Sequence, residues 1–352
     1  METAALKNEA AKNVGRNLTT IDQIYDIFCQ TLGSIRGSLG LLLWAWVNYS
    51  NMSLDIHAQG ISTYLSALWF ALICLYRGLS HLNQRQVDGW APFRLCPEND
   101  VIMITGGSNG LGLLLLALFS ANGFKTVNLD TEVPRLAVAS STFLKCDVGN
   151  HDEVEQVFRS LKSLPSVLIN CAGTVSDSLG SLTSIDSRAI AKVVHTNYLG
   201  SIWATQTLLA RNKAAKMIVG ISSSTALAAP AYAGVYASSK AAVRTFFTSL
   251  RYECPGTRIL CITPGQFDTA MFRDIPTPSS FWAPVVPTVD LATSIYSAIL
   301  SGRQGELTMP VYAQLLPYIL ALPQSIVDLG RRWIGIDSAV VGTGSTGAGR
   351  KE

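Results

Sequence analysis

The sequence predicts an α/β fold in which an apolar N-terminal region precedes a doubly wound parallel sheet. Residues 98–310 alternate short apolar runs, typical of buried strands, with longer helical stretches. The first of these strands is followed by a glycine-rich turn, an apolar helix and a second strand that ends in a carboxylate. We therefore divide the chain into an apolar attachment region at 1–97, the α/β domain at 98–310, and an apolar tail with a polar end at 311–352.

The composition limits the classes of partner. Of the 352 residues 14% are charged, whereas soluble proteins average about 25%. The net charge of +3 is too small to indicate nucleic acid, and the positive mean hydropathy predicts that part of the chain meets lipid. The seven cysteines form no CxxC pair and the four histidines show no metal-ligand spacing. We therefore expect neither a disulfide framework nor a metal site.

Two apolar segments in the N-terminal region predict membrane attachment. Leu39–Val47 has nine residues and Ile61–Tyr76 has sixteen, which reach about 24 Å as a helix. Because a span needs about 20 apolar residues, we expect a helical hairpin that dips into one leaflet. Arg36 and Arg77 flank the pair and place both flanks on the cytosolic side. One short span with an interfacial partner, or two core helices of a soluble domain, are the alternatives.

The first strand, turn and helix of the α/β domain have the order of a dinucleotide-binding unit. Strand Val101–Thr105 leads directly into a turn that runs from Gly106 to Gly112. After the helix, strand Thr126–Leu129 ends at Asp130, about 24 residues beyond the first glycine. The glycines let the backbone approach a pyrophosphate at the helix N-terminus, and the carboxylate can accept both adenosine ribose hydroxyls. This Rossmann-type unit predicts a dinucleotide cofactor.

The residues around the carboxylate favour NAD(H) over NADP(H). The extra phosphate of NADP(H) would lie against Asp130, and like charges repel. A cation beside the strand could offset that repulsion, but Thr131 follows directly and the turn offers only Ser108 and Asn109. Arg135, five residues on, is the nearest cation and keeps NADP(H) as the alternative.

A Tyr–Lys pair on a later helix carries the chemistry. Tyr236 and Lys240 lie four residues apart, so the phenol and the ammonium project from one helix face. A nearby cation favours the phenolate, so we expect Lys240 to lower the pKa of Tyr236 for proton exchange with an alcohol or carbonyl. Ser223, thirteen residues earlier at the end of a strand, is placed to hold the same oxygen. Ser222 and Ser224 compete for that role.

Several motifs occur together in a specific order and spacing. They are Thr105-Gly106-x-x-x-Gly110-x-Gly112, Asn170-Cys171-Ala172-Gly173, Asn197, Ser223, Tyr236-x-x-x-Lys240 and Pro264-Gly265. This set resembles the short-chain dehydrogenase/reductase family over about residues 98–310. An apolar anchor before the domain and a Leu/Pro-rich tail after it are similar to the membrane-attached branch of that family. That branch contains retinol dehydrogenases and 17β-hydroxysteroid dehydrogenases of lipid droplets and endoplasmic reticulum.

The resemblance implies a role for each motif residue. Tyr236 would be the acid/base, Lys240 would grip the nicotinamide ribose, Ser223 would position the substrate oxygen, and Asn197 would hold a water that links Lys240 to solvent. The cofactor-binding residues it implies are Gly106, Ser108, Asn109, Gly110, Leu111, Gly112, Asp130, Asp147, Val148, Asn170, Ala172, Gly173, Tyr236, Lys240, Pro264, Gly265 and Thr269. Cys171 stands where the family usually has a second Asn, a change of similar size that we do not expect to disable the site.

The regions after the motifs predict an apolar ligand and an interfacial tail. The loop Gln266–Pro287 is rich in proline and aromatic residues at the place where this family closes over substrate. Residues 311–341 are apolar, are broken by two prolines and carry paired arginines, which is typical of an interfacial segment. The Gly/Ser/Thr-rich end from Gly342 predicts disorder.

Together these features predict a membrane-attached oxidoreductase that interconverts an alcohol and a carbonyl on a lipophilic substrate, such as a retinoid, a steroid or another lipid. We expect it at the endoplasmic reticulum membrane or a lipid droplet, with the catalytic domain facing the cytosol. An NADPH-dependent lipid ketone reductase and a non-catalytic dinucleotide-binding scaffold are the alternatives. The sequence leaves open the identity of the substrate, the direction of the reaction and whether the chain forms a homodimer.

Overall fold

The computed structural model describes residues 20–51, 56–89, 92–134, 136–175, 177–272 and 275–338. Two compact units make up this part of the chain, one within Thr19–Ala91 and the other from Pro92 onward. Arg135 and the glycine-rich end from Gly342 lie outside the described residues.

The smaller unit is helical. Its helices are α1 (Ile21–Gln30), α2 (Ile35–Asn51) and α3 (Ile56–Asp88). The hydroxyl of Thr63 donates to the carbonyl of Ala45 at 3.4 Å, and the guanidinium of Arg77 donates to the carbonyl of Gly33 at 2.9 Å. Because later residues of α3 contact earlier residues of the chain, α2 and α3 run antiparallel, as in the predicted hairpin.

The third helix is longer than the apolar segment that predicted it. Within α3, the 28 residues Ile61–Asp88 are long and apolar enough to cross a membrane, by length and composition. The expected reach of about 24 Å is therefore an underestimate, because the helix continues past Arg77 with exposed Leu79 and Leu82. Only 6% of this apolar stretch is buried, so α3 is not a core helix of the described protein.

The larger unit contains the predicted doubly wound sheet. Its strands are β1 (Val101–Thr105), β2 (Lys125–Asp130), β3 (Ser141–Lys145), β4 (Val167–Asn170), β5 (Met217–Ile221), β6 (Arg258–Pro264) and β7 (Gly305–Met309). They lie in the order β3-β2-β1-β4-β5-β6-β7 and every neighbouring pair is parallel. The chain runs outward from β1 to one edge and then from β4 to the other, which confirms the predicted fold class.

Helices cover both faces of the sheet. They are α4 (Gly110–Ala121), α5 (His151–Ser160), α6 (Ser187–Val193), α7 (Gly200–Arg211), α8 (Gly234–Glu253) and α9 (Thr288–Leu300). On one face Ile104 packs among residues of α4 and α9, and on the other Met103 packs among residues of α5, α7 and α8. Successive strand residues point to opposite faces, so fully apolar strands such as β1 fill two separate cores.

A π-helical turn at Val194–Leu199 joins α6 to α7. The predicted interrupted tail forms two helices, α10 (Val311–Ile319) and α11 (Gln324–Ile334). Pro323 precedes α11, while Pro317 lies inside α10.

Candidate active site

A cavity of about 620 Å³ opens at the carboxyl ends of the central strands. It extends from the glycine turn after β1, past the end of β2, to the Tyr–Lys pair on α8. This is the point at which the strand order reverses, between β1 and β4, where open α/β sheets bind their ligands.

The glycine turn allows close approach of backbone to backbone. Gly106 has a φ of +69°, and a Cβ there would lie 2.7 Å from the Cα of Ala172. Gly110 has a φ of +53°, again in the left-handed region that favours glycine. A Cβ at Gly112 would overlap the carbonyl oxygen of Gly106. The first turn of α4 therefore presents free backbone N–H groups to the cavity, as an anion site requires.

Asp130 lines the cavity at the end of β2 and is already tied to the turn. Its carboxylate accepts hydrogen bonds from the backbone N–H of Ser108 at 2.9 Å and of Glu132 at 3.2 Å. A carboxylate has about four lone-pair sites, so two remain for ribose hydroxyls. The sequence predicted a cofactor contact for Ser108, but its side chain does not line the cavity. The side chain is buried, and its hydroxyl donates to the Glu132 carbonyl.

The side chains of the Tyr–Lys pair meet at the inner end of the cavity. Both are buried, and the ammonium of Lys240 lies 5.9 Å from the centre of the Tyr236 ring. That ammonium donates to the carbonyl of Ile221 at 2.9 Å. Burial lowers the pKa of Lys240 to about 8, so the lysine is mainly charged at neutral pH.

The expected lowering of the tyrosine pKa by the lysine is wrong for this structure. Burial raises the pKa of Tyr236, and the hydrogen bond with Ser223 lowers it in part. Desolvation dominates because the ring is enclosed while the Lys240 ammonium is directed at a backbone carbonyl. A charge that stabilises the phenolate during turnover must therefore come closer than Lys240 lies here.

The three consecutive serines after β5 have different surroundings. Ser222 lines the cavity, but its hydroxyl donates to the Lys240 carbonyl at 2.8 Å. The Ser223 hydroxyl lies against that of Tyr236 and accepts from Thr225 at 2.9 Å. Ser223 is not among the residues that line the cavity, yet it alone of the three contacts the phenol. Of the three serines, Ser223 is therefore the candidate that the geometry favours for the predicted contact with the substrate oxygen.

Asn197 lies in the π-helical turn and its side chain does not reach the cavity. Its amide nitrogen donates to the Thr174 carbonyl and to the Ser239 hydroxyl, both at 3.0 Å, and its oxygen accepts from the Thr174 N–H at 2.7 Å. Both amide hydrogens are therefore engaged. In this structure the side chain clamps the segment after β4 to α8, and the contact of Asn197 with a relay water stays a prediction.

Three more predicted cofactor residues lie outside the cavity lining. The amide of Asn170 donates to Thr205 on α7 at 3.1 Å, so it ties the end of β4 to that helix. Pro264 ends β6, and the N–H of Gly265 donates to the Met309 carbonyl at 2.8 Å. These residues shape the walls behind the site. The other predicted cofactor residues, namely Gly106, Asn109, Gly110, Leu111, Gly112, Asp130, Asp147, Val148, Ala172, Gly173, Tyr236, Lys240 and Thr269, line it.

Sequence reasoning missed several cavity residues. Lys192 and Thr196 line it from α6 and the π-helical turn, and Glu132 lines it beyond β2. Lys192 and Thr196 are four residues apart, so they lie on one helix face. That shared face was the available signal, because a cavity that receives one of the two side chains also receives the other.

The described residues fit a dinucleotide. The buried hydroxyl of Thr269 has no hydrogen-bond partner within the described chain, although it lines the cavity and lies beside Gly110. An amide group would satisfy that hydroxyl, while the glycine turn suits a pyrophosphate and Asp130 suits a ribose. Within the described ranges no cluster of three or more potential metal ligands occurs.

The far end of the cavity is apolar. Phe267, Met271 and Phe272 line it, and the Phe272 ring lies 6.3 Å from that of Tyr236 and 5.4 Å from that of Phe267. These three belong to the loop in which the sequence predicted contacts with an apolar ligand.

Comparisons with known proteins agree with this geometry. The model of the short chain dehydrogenase family matches residues 100–279. The uncharacterized oxidoreductase TDA5 of Saccharomyces cerevisiae is 27% identical over 310 residues, which are 84% of this chain and 91% of that protein. The 3-ketodihydrosphingosine reductase TSC10 of Candida glabrata is 32% identical over 133 residues, which are 36% of this chain and 34% of that protein.

A solved structure supports the fold. The short chain dehydrogenase from Burkholderia cenocepacia, solved in complex with NADP, superposes with a TM-score of 0.58 at 23% sequence identity. The match covers 68% of this chain and 98% of that chain. At this identity the likeness extends to the fold, and not to the choice of nucleotide.

Proposed function

The chain belongs to the short chain dehydrogenase family, and we propose that it is a membrane-attached oxidoreductase acting with NAD(H) on a lipophilic alcohol or carbonyl. The observation that carries this proposal is the contact of Ser223 with the buried Tyr236, one helical turn from Lys240. Tyr236 and Lys240 line the same cavity that begins at the glycine turn. Proton exchange and dinucleotide binding are therefore combined in one site.

The side chains of the site divide the work of proton transfer. Tyr236 exchanges the proton with the substrate oxygen, and the Ser223 hydroxyl holds that oxygen in reach. Lys240 supplies positive charge that stabilises the developing phenolate when its ammonium turns from the Ile221 carbonyl toward the cavity. The nicotinamide, when bound, supplies or accepts the hydride. The carboxylate of Asp130 and the turn N–H groups orient the nucleotide, and Thr269 is placed to pair with its amide.

The surroundings of Asp130 support NAD(H). Its two free lone-pair sites would face the adenosine ribose, and the neighbouring cavity residues Glu132 and Asp147 add further negative charge. A phosphate of about −2 charge would be repelled there. The exposed Lys192 also lines this cavity, and it lies on α6 and not at the end of β2.

The lipophilic substrate and the membrane attachment have separate support. Phe267, Met271 and Phe272 give the substrate end of the cavity an apolar wall. The helical unit exposes large apolar residues along all three helices, including Ile27, Trp44 and Leu65, each more than half exposed. Such a continuous apolar surface is costly in water and suits lipid. We place the protein at the endoplasmic reticulum membrane or a lipid droplet, with the domain in the cytosol.

One alternative has a specific observation in its favour. The similarity to a 3-ketodihydrosphingosine reductase points to reduction of a ketone on a long-chain lipid. That match covers about a third of each chain, so it leaves the substrate open. A non-catalytic scaffold has less support, because all four residues of the catalytic set, Asn197, Ser223, Tyr236 and Lys240, are present.

Profiling of lipids tests the proposal. The purified full chain in phosphatidylcholine vesicles would be incubated with a cellular lipid extract and NAD⁺ or NADH, with the Tyr236→Phe variant as the matched control. We expect one lipid alcohol to fall, or its carbonyl to rise, with the active chain alone. If the wild type and the variant left identical lipid profiles with both NAD(H) and NADP(H), the proposed oxidoreductase activity on lipids would be wrong.

A further inference from the structure

The two C-terminal helices of the larger unit expose large apolar side chains. We define the apolar tail surface as Leu315, Tyr318, Leu322, Ile326, Leu329 and Trp333. All six are exposed; Tyr318 reaches 76%, Leu329 67% and Trp333 69%. Along α11, Ile326, Leu329 and Trp333 follow each other at spacings of three and four residues, so they form one outward stripe.

The inward side of α11 carries charge. Arg331 pairs with Asp337 and also donates to the Ala229 carbonyl at 2.8 Å. Asp337 in turn accepts from the N–H of Ala231 at 2.8 Å. These bonds fix the end of the tail to the loop just before α8, the helix that carries Tyr236. The orientation of the stripe is therefore set by these polar bonds together with Val327, the buried apolar residue of the same helix.

The tail surface also meets the loop Gln266–Pro287, the substrate loop. The rings of Trp333 and Trp282 lie 5.3 Å apart, and Trp282 packs on Phe281 at 4.8 Å. Trp282 belongs to the loop whose earlier residues, Phe267 and Phe272, line the apolar end of the cavity. One continuous segment thus has apolar side chains in the cavity and apolar side chains against the tail.

We propose that the apolar tail surface rests on a lipid surface and that lipophilic substrate enters the cavity from that lipid along the substrate loop. The proposal rests on the proposed function, since it assumes a substrate dissolved in lipid. Two features favour lipid over a second copy of this chain. Exposed Arg332 lies beside the stripe, where it suits acidic headgroups but would be costly in a dry protein interface. The same chain also carries α3, a helix long and apolar enough to enter a membrane.

Fluorescence quenching in vesicles tests the contact. The full chain carrying Leu329→Cys would be labelled with a nitrobenzoxadiazole dye and bound to vesicles of phosphatidylcholine and phosphatidylserine that contain nitroxide-labelled phosphatidylcholine. The matched control is the dye at Asp152→Cys, on α5, whose side chain is fully exposed. Wild-type chain treated identically supplies the background from native cysteines. We expect lipid quenching at position 329 to exceed that at 152 by at least about threefold.

Two other outcomes would overturn the proposal. A dye at 329 that is quenched by aqueous iodide and not by lipid would place the tail in water. A dye shielded from both quenchers would indicate that a second copy of the chain covers the stripe. A second variant guards against damage by the label: Trp333→Glu should lower the lipid quenching at 329, whereas Gln324→Glu, at an exposed position of the same helix that lies off the stripe, should not. The readout needs no turnover, so it stands apart from any failure of the proposed activity.

Discussion

At the scale of the residue, the site depends on a few side chains that serve the fold and the chemistry together. Asp130 holds the glycine turn through the N–H of Ser108 and still faces the cavity with free lone pairs. Lys240 is buried against the Ile221 carbonyl and keeps its charge near neutral pH. A substitution at either position therefore changes both the geometry of the site and its charge.

The nucleotide preference is the first prediction at this scale. We expect kcat/KM to favour NAD(H) in the wild type, because Asp130 repels the additional phosphate of NADP(H). Asp130→Ser combined with Thr131→Arg should move the preference toward NADP(H), since the carboxylate is lost and a cation is gained. Steady-state kinetics with both nucleotides on one substrate measure the change. A wild type that prefers NADP(H) would contradict this assignment and favour the ketone reductase alternative.

The charge of Lys240 predicts a pH dependence of nucleotide affinity. Burial lowers the pKa of Lys240 to about 8, and a negatively charged nucleotide with ribose acceptors would raise it on binding. The contribution of the ammonium is then complete below about pH 8 and is lost as the pH rises above that value. We expect the Kd of NADH to rise above pH 8 by up to about tenfold per unit, measured by fluorescence titration. Lys240→Met should weaken binding at neutral pH and flatten the rise; an unchanged slope would show that another group titrates.

The sequence predicted the position of a residue well where a motif fixes the backbone. It predicted less well where the side chain can adopt several rotamers. The glycine turn placed Gly106, Gly112 and Asp130 at the cavity, because each is required by a steric contact or a strand end. Asn170 is in the motif, yet its amide donates to Thr205 on α7 and does not line the cavity. Sequence spacing gives the position of a residue along the chain and not the rotamer of its side chain.

At the scale of the element, the π-helical turn between α6 and α7 is the feature that organises the site. It places Asn197 between the segment after β4 and α8, where the amide bonds to both. A π turn inserts one residue into a helix and often lies at a functional site. The sequence did not reveal this turn, since apolar periodicity does not show a single extra residue in a helix.

Removal of the Asn197 amide tests this element. Asn197→Ala removes the three hydrogen bonds that the Asn197 amide makes to Thr174 and Ser239, so we expect a loss of about 2 kcal/mol or more in the free energy of unfolding. We also expect a lower kcat, since the segment that carries Gly173 adjoins the cavity. Urea unfolding and steady-state kinetics measure the two effects. The control is Asn212→Ala, which removes bonds to Pro165 and Ala214 away from the cavity and should leave kcat unchanged.

If Asn197→Ala lost no more stability than Asn212→Ala and kept its kcat, the clamp would have no role in the site.

At the scale of the whole molecule, the chain combines an α/β domain with two exposed apolar regions. One is the N-terminal helical unit, and the other is the pair of C-terminal helices α10 and α11. The strands and the sheet order were predictable, because buried runs such as Val101–Thr105 and the turns between them are local signals. The length of α3 was not, since a charge at Arg77 appeared to end an apolar segment that the helix continues beyond. The orientation of α11 was not predictable either, because it depends on the pairing of Arg331 with Asp337.

Truncation tests the division of the molecule. Deletion of residues 1–91 should leave a folded domain, because both cores of the sheet lie beyond Pro92. The truncated chain should leave the membrane fraction in part, with the remainder held by the apolar tail surface. In intact microsomes, we expect protease to digest a tag at the N-terminus together with the domain, as a hairpin requires. Protection of the tag with digestion of the domain would instead support a single span through α3.

The measurement that tests the central claim most directly is the turnover of Tyr236→Phe. The substitution removes the hydroxyl that contacts Ser223 and leaves the ring against Phe272. We predict that kcat falls by at least about 100-fold, as lost general acid/base catalysis requires, while the Kd of NADH stays within about twofold of the wild type. Normal turnover by Tyr236→Phe on any substrate that the wild type accepts would contradict the account.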